Sequence, residues 1–181
     1  IVVLGKISDV TIIDDGDADF ATVGAGWTSS SGFQDGFNGD VQSNPGSTDA
    51  AHVATWTFNN LTDGGRYRVS TLWNESSGNA SDATYTLTGG AASQVVTFNQ
   101  GLAPENAANA VTGTINDRDR TFVNIGDIYQ LAGGTTTLTV SLSAVANGRV
   151  VADAVRIELI DDAEIKVTQG ASNVQDGGAF D

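Results

Sequence analysis

The 181-residue chain contains no cysteine, a single histidine (His52) and 8 lysines and arginines against 22 aspartates and glutamates. Without cysteine there are no disulfides and no thiolate chemistry. With one histidine, every Ser-His or Cys-His nucleophile system would depend on His52, and that residue reads as a surface imidazole at the start of a strand. A net charge of −14 excludes a nucleic-acid partner, whose phosphates need Lys and Arg opposite them. The same charge disfavours anionic membranes and anionic polysaccharides unless a divalent cation bridges. No apolar run reaches the length of a membrane span, and no signal-peptide pattern is present. The chain begins with Ile1 rather than Met and reads as a processed product or an excerpt.

What is abundant is glycine (22 residues) together with Thr, Ser, Asn and Asp. This mixture implies many short strands joined by turns, and little helix. The clearest pattern lies in Thr135 to Ile160. Leu138, Val140 and Leu142 alternate with Thr137, Thr139 and Ser141; Val151, Val155, Ile157 and Leu159 share one phase, and Ala152, Ala154, Arg156 and Glu158 the other. A period of two places each set on its own sheet face. With Ala146-Asn147-Gly148 between the arms, the stretch predicts a β-hairpin whose reversal uses the positive φ that Asn-Gly tolerates. Asp153 falls in the apolar phase and therefore requires a partner, an Arg or a backbone N–H. Asp153 and Arg156 are the expected structural polar pair of positions in this stretch.

Further strands are predicted at Val10–Ile13, His52–Phe58, Tyr67–Trp73, Thr84–Thr88, Gln94–Asn99, Val111–Ile115 and Phe122–Leu131. Their spacing suits an antiparallel sandwich. Thr28 to Asp49 reads as a long loop with room for short strands of its own. Leu102 to Ala110 is the best helix candidate, with Pro104 and Glu105 suited to its first turn, and a loop is the alternative. Apolar strand candidates also occur at the ends, in 1–8 and at Glu164–Thr168. The organisation is then an N-terminal strand or linker (1–9), a β-sandwich (10–160) and a C-terminal strand and tail (161–181) that resembles the opening of a following repeat.

Three blocks carry a resemblance: TIIDDGDADFATVGAGWTSSSG (Thr11 to Gly32), ATWTFNNLTDGGRYRVSTLW (Ala54 to Trp73) and VVADAVRIELI (Val150 to Ile160). In this order they are similar to the golvesin/xanthan-lyase carbohydrate-binding-like domain family. The resemblance implies an all-β, antiparallel jelly-roll-like sandwich of a bacterial secreted or surface protein, here with extra terminal strands. Where the family usually has Trp before Leu-Gly in a late middle strand, this chain has Phe122-Val123-Asn124-Ile125-Gly126, which weakens a carry-over of glycan binding.

Two groups of residues offer chemistry. Asp14, Asp15, Asp17 and Asp19 lie within six residues around Gly16. Hard oxygen ligands so closely spaced suit Ca²⁺, and a solvated acidic turn is the alternative. The patch Asn116 to Arg120 holds its own countercharges and reads as a self-paired surface loop. Among aromatics, Trp56 belongs to the core phase, whereas Trp27 and Trp73, with Asn74, are the candidates to contact a glycan. An exposed ring face shared by Trp27 and Trp73 would support sugar binding, and their burial would remove it. No motif favours catalysis. The expected role is a non-catalytic extracellular or cell-surface module. Either it is a structural unit of a bacterial fibre or array, joined to neighbouring copies or domains through terminal strands, or it is a carbohydrate-binding module attaching a larger protein to a polysaccharide.

Overall fold

The computed structural model describes residues 9–32, 36–107 and 113–160. The terminal strand candidates in 1–8 and at Glu164–Thr168 lie outside the described residues. Among those described, fourteen strands fall into three antiparallel sheets. Sheet A runs β1(Val10–Ile13), β14(Val155–Leu159), β6(Arg66–Thr71), β10(Arg120–Asn124) and β9(Thr114–Asp117), with β11(Tyr129–Gln130) also on β6. Sheet B runs β2(Phe20–Val23), β5(Val53–Phe58), β12(Leu138–Ser143), β7(Ala83–Thr88) and β8(Gln94–Phe98). Sheet C is small: β13(Val150–Ala152), β4(Asp40–Asn44) and β3(Thr28–Ser31). One short helical turn, α1(Pro104–Ala107), lies inside the predicted Leu102 to Ala110 segment.

The period of two explains the sandwich. Along β5, β7 and β12, Ala54, Trp56, Phe58, Ala83, Tyr85, Leu87, Leu138, Val140 and Leu142 are buried while the residues between them are not. They meet Tyr67, Val69, Val123, Val155 and Ile157 of sheet A in one core. Trp56 lies at its centre, 5.2 Å from Phe20 and 6.4 Å from Tyr85 between ring centroids. Each such large side chain contributes about 1.5–3 kcal/mol through removal of apolar area from water. The outer face of sheet A carries a second, smaller cluster of Phe37, Leu72, Phe122 and Ala154. Phe37 reaches it from the turn between β3 and β4, so the face is covered around Leu72, Phe122 and Ala154.

The predicted hairpin at Thr135 to Ile160 does not form. Its first arm, β12, is paired on both edges, to β5 and to β7, and has no edge left for a hairpin partner. The second arm crosses to the other side of the sandwich, where β13 pairs with β4 and β14 with β1 and β6. Alternation reports which face a residue occupies, not which strand lies beside it, and strands of two facing sheets share the inward phase. Asn147 does not take positive φ. Instead its N–H donates to Asp82 Oδ1 (2.8 Å), its Nδ2 to Ser81 Oγ (2.7 Å), and its Oδ1 accepts from Ser81 N (3.0 Å). The tight two-residue reversal lies at Arg118-Asp119, both with positive φ (47° and 60°), joining Asp117 to Arg120 across β9 and β10. That geometry is the type I′ turn that matches strand twist.

Candidate functional site

The acidic turn after β1 is organised by its own backbone. Asp17 N donates to Asp14 O (3.1 Å), and Asp17 Oδ2 accepts from Asp14 N (2.9 Å). Asp17 is thereby a turn cap. Asp17 and Asp19 are exposed, whereas Asp14 and Asp15 are 5% and 6% exposed. The four aspartates of the sequence pattern are thus split. The partner brought to Asp14 and Asp15 is Asp40, at the start of β4, and one carboxylate oxygen from each of the three lies within 4.8 Å of the others.

The fold makes this meeting in two ways. Ile13 pairs with Val155, which holds the end of β1 beside the start of β14. Asn38, in the turn that presents Phe37, has φ of 54° and donates its Nδ2 to Asp14 Oδ2 at 2.7 Å. Asp14 Oδ1 accepts from Asp15 N (3.0 Å), so both oxygens of Asp14 are fixed in orientation. Asp15 Oδ1 is buried and has no hydrogen-bond donor. Burial, followed by the negative charges of Asp14 and Asp40, pushes the Asp15 carboxyl up to about 7. Burial raises Asp14 as well, against the Asn38 hydrogen bond.

Asp153 stands behind this cluster, fully buried, where the chain passes from β13 in sheet C to β14 in sheet A. Its partner is a backbone N–H: Phe37 N donates to both carboxylate oxygens (3.0 and 3.3 Å). Its main-chain carbonyl accepts from Trp56 Nε1 (3.0 Å). Burial holds the Asp153 carboxyl well above the usual range, and Asp14, Asp15 and Asp40 add to this. Arg156 is buried too and pairs elsewhere, with Asp117 (2.8 Å) and Glu158 (3.1 Å). The expected outcome for Asp153→Ala is a loss of about 1–3 kcal/mol, because the Phe37 N–H is stranded. Asp153→Asn, which keeps an acceptor, should lose less; chemical denaturation of both variants measures the difference.

The tryptophans do not form a platform. Trp73 is 1% exposed, packs 5.5 Å from Phe98 and donates Nε1 to Leu102 O (2.9 Å). Trp27 is half-buried against the core, with Nε1 on Val23 O (3.2 Å). They share no exposed ring face. Asn74 is half-buried, and its carbonyl accepts from Asn79 Nδ2 (2.9 Å). An open groove of about 340 Å³ passes Trp73, lined by Glu75, Pro104, Glu105, Asp119 and Arg120. His52 lies 3.7 Å from Asp49, in a local pair at the start of β5. Gln100 carries no sequence signal and is fully buried; it bonds both backbone groups of Val151, accepting at Oε1 (2.8 Å) and donating from Nε2 (2.7 Å).

These features define a β-sandwich domain with a buried carboxylate cluster at the junction of its sheets. The match to the model of the Golvesin C-terminal domain extends over residues 11–159, and the chain belongs to that family. Its fold is similar to part of a solved Paenibacillus xanthan lyase, with a TM-score of 0.64 and 22% identity. That similarity covers 84% of this chain and only 13% of the lyase chain. A tailspike protein 4 enzymatically active domain of bacteriophage CBA120 aligns over 79% of this chain and 20% of that one, with a TM-score of 0.45 and 11% identity. No curated protein sequence matches at a comparable level. Among the described residues, no helix is long and apolar enough to cross a membrane.

Proposed function

We propose that the chain is a non-catalytic structural module of a bacterial extracellular or surface protein, joined to neighbouring domains or copies through its terminal segments. The observation that carries this reading is the position of the two ends. Leu159 N donates to Asp9 O (3.0 Å) and Ile160 N to Arg66 O (2.7 Å). Asp9 and Ile160, the outermost described residues, therefore lie close together at the margin of sheet A. There β1 has β14 as its one strand neighbour among the described residues, and Val10 is 38% exposed. An edge strand with unpaired backbone groups takes up a further strand by main-chain hydrogen bonding. Side-by-side ends also suit a module that projects laterally from a larger chain.

The outward face of sheet B adds support. The row Ala21, Thr55, Ser141, Thr86 and Val95 crosses five strands without a charge, in a chain of net charge −14. A neutral face of this kind packs against a neighbour without the cost of burying a charge. The alternative, a carbohydrate-binding module, would use the groove beside Trp73, where Glu75, Glu105 and Arg120 offer hydrogen bonds to hydroxyls.

Light scattering on the intact chain and on separate deletions of 1–8 and 163–181 tests the proposal. The expected result is an assembly whose mass falls in at least one deletion. A strictly monomeric parent, or unchanged mass in both deletions, overturns the structural reading. Retention on polysaccharide columns, lost on Glu105→Ala, would then establish the alternative.

A further inference from the structure

We propose that Asp14, Asp15 and Asp40 bind one calcium ion, at a site that ties the turn after β1 to the start of β4. This proposal is independent of the structural role above. Three carboxylate oxygens lie within 4.8 Å of one another. That limit is the separation of two ligands on opposite sides of an ion at the Ca–O distance of about 2.4 Å. The second observation is the orphaned oxygen. Asp15 is 6% exposed, and its Oδ1 receives no donor. A buried acceptor left in that state is costly. One proton satisfies a single oxygen; a divalent cation satisfies all three carboxylates and cancels their mutual repulsion.

The choice of cation follows from the donors. The cluster offers carboxylate oxygen and neither His nor Cys, which selects a hard ion over zinc or copper. Magnesium demands near-ideal octahedral geometry, whereas calcium accepts looser geometry, as from ligands drawn from a turn and the start of a strand. Both oxygens of Asp14 are held in place by Asp15 N and by Asn38 Nδ2, the outer hydrogen bonding that orients a metal ligand. Asp17, exposed and bonded to Asp14 N, and Asp19, also exposed, are outside the site.

The experiment uses the full chain stripped with EGTA, titrated with CaCl2 by calorimetry and followed by thermal melting. The expected affinity is in the range of extracellular calcium modules, a Kd on the order of 10⁻⁴–10⁻³ M. Calcium at about a hundred times that Kd should raise Tm by about 5–10 °C. Asp15→Asn and Asp40→Asn should each weaken calcium binding by at least about tenfold, while Asp19→Asn leaves it unchanged. Asp15→Asn removes repulsion as well as a ligand, so its metal-free Tm should be no lower than that of the parent; this shows that its lost response is not unfolding. Absence of binding heat and of any Tm rise overturns the proposal. So does undiminished calcium affinity in both Asp15→Asn and Asp40→Asn, or magnesium binding as tight as calcium.

Discussion

Replacing Gln100 by alanine is expected to destabilise the domain by about 3–5 kcal/mol, more than removal of any exposed polar residue. Gln100 follows β8 and is fully buried. Its amide stands in for a strand: Oε1 accepts from Val151 N and Nε2 donates to Val151 O, at 2.8 and 2.7 Å. Nε2 also donates to Tyr85 Oη at 3.1 Å. Val151 belongs to β13, paired along its other edge with β4, and the side chain of Gln100 takes the place of a neighbour on the free edge. Alanine strands two buried main-chain groups, each costing about 1–3 kcal/mol, and leaves a cavity besides. Gln100→Glu should be worse, because a carboxylate would face the Val151 carbonyl. Urea denaturation should show a lower midpoint for alanine with an unchanged slope. A loss under about 1 kcal/mol would mean that water replaces the amide.

The residues that the sequence could not place are those whose partners are remote in the chain. Trp56 was legible as core because its own strand repeats every second residue. Arg156 was not legible as buried: its phase is polar, and only the arrival of Phe37 and the β9–β10 reversal covers that face of sheet A. For the same reason Asp40 escaped notice beside Asp14 and Asp15. It lies twenty-six and twenty-five residues further along, and only the fold brings Asn38 and Asp40 to the end of β1. The misplaced hairpin arises from the same limit. Asn147-Gly148 has the composition of a two-residue reversal, yet the Asn147 side-chain bonds to Ser81 and its main-chain N–H to Asp82 hold a crossing between sheets. The true reversal, Arg118-Asp119, has no glycine and no asparagine to announce it.

Asp153 connects these observations, since one residue joins the core, the covering turn and the acidic cluster. Its carbonyl receives Trp56 from the sandwich interior, and its carboxylate receives Phe37 from the outside. The negative charges of Asp14, Asp15 and Asp40 act on a carboxyl that is held between these two contacts.

The metal-free protein should lose stability as pH rises. Asp14, Asp15 and Asp153 all have carboxyls raised in the folded state above the ordinary 3.8, Asp15 to about 7. Between these values the native state holds protons that the unfolded chain has released. Stability then falls with increasing pH, by linkage. Well below 3.8 both states are protonated and the contribution is fully present. It declines through the window from 3.8 to about 7 for Asp15, and Asp153 extends the decline upward. Thermal melts in EGTA from pH 4.5 to 8 should show Tm decreasing steadily across a range where many proteins are at their most stable. Asp15→Asn should flatten the lower part of that decline, because the group that titrates there is gone. Saturating calcium should flatten it in the parent, since an ion that binds the carboxylates opposes their protonation. A Tm that climbs from pH 4.5 to 7 in EGTA would show that these carboxyls are already ionised in the folded protein, and that the burial seen around them does not control their protons.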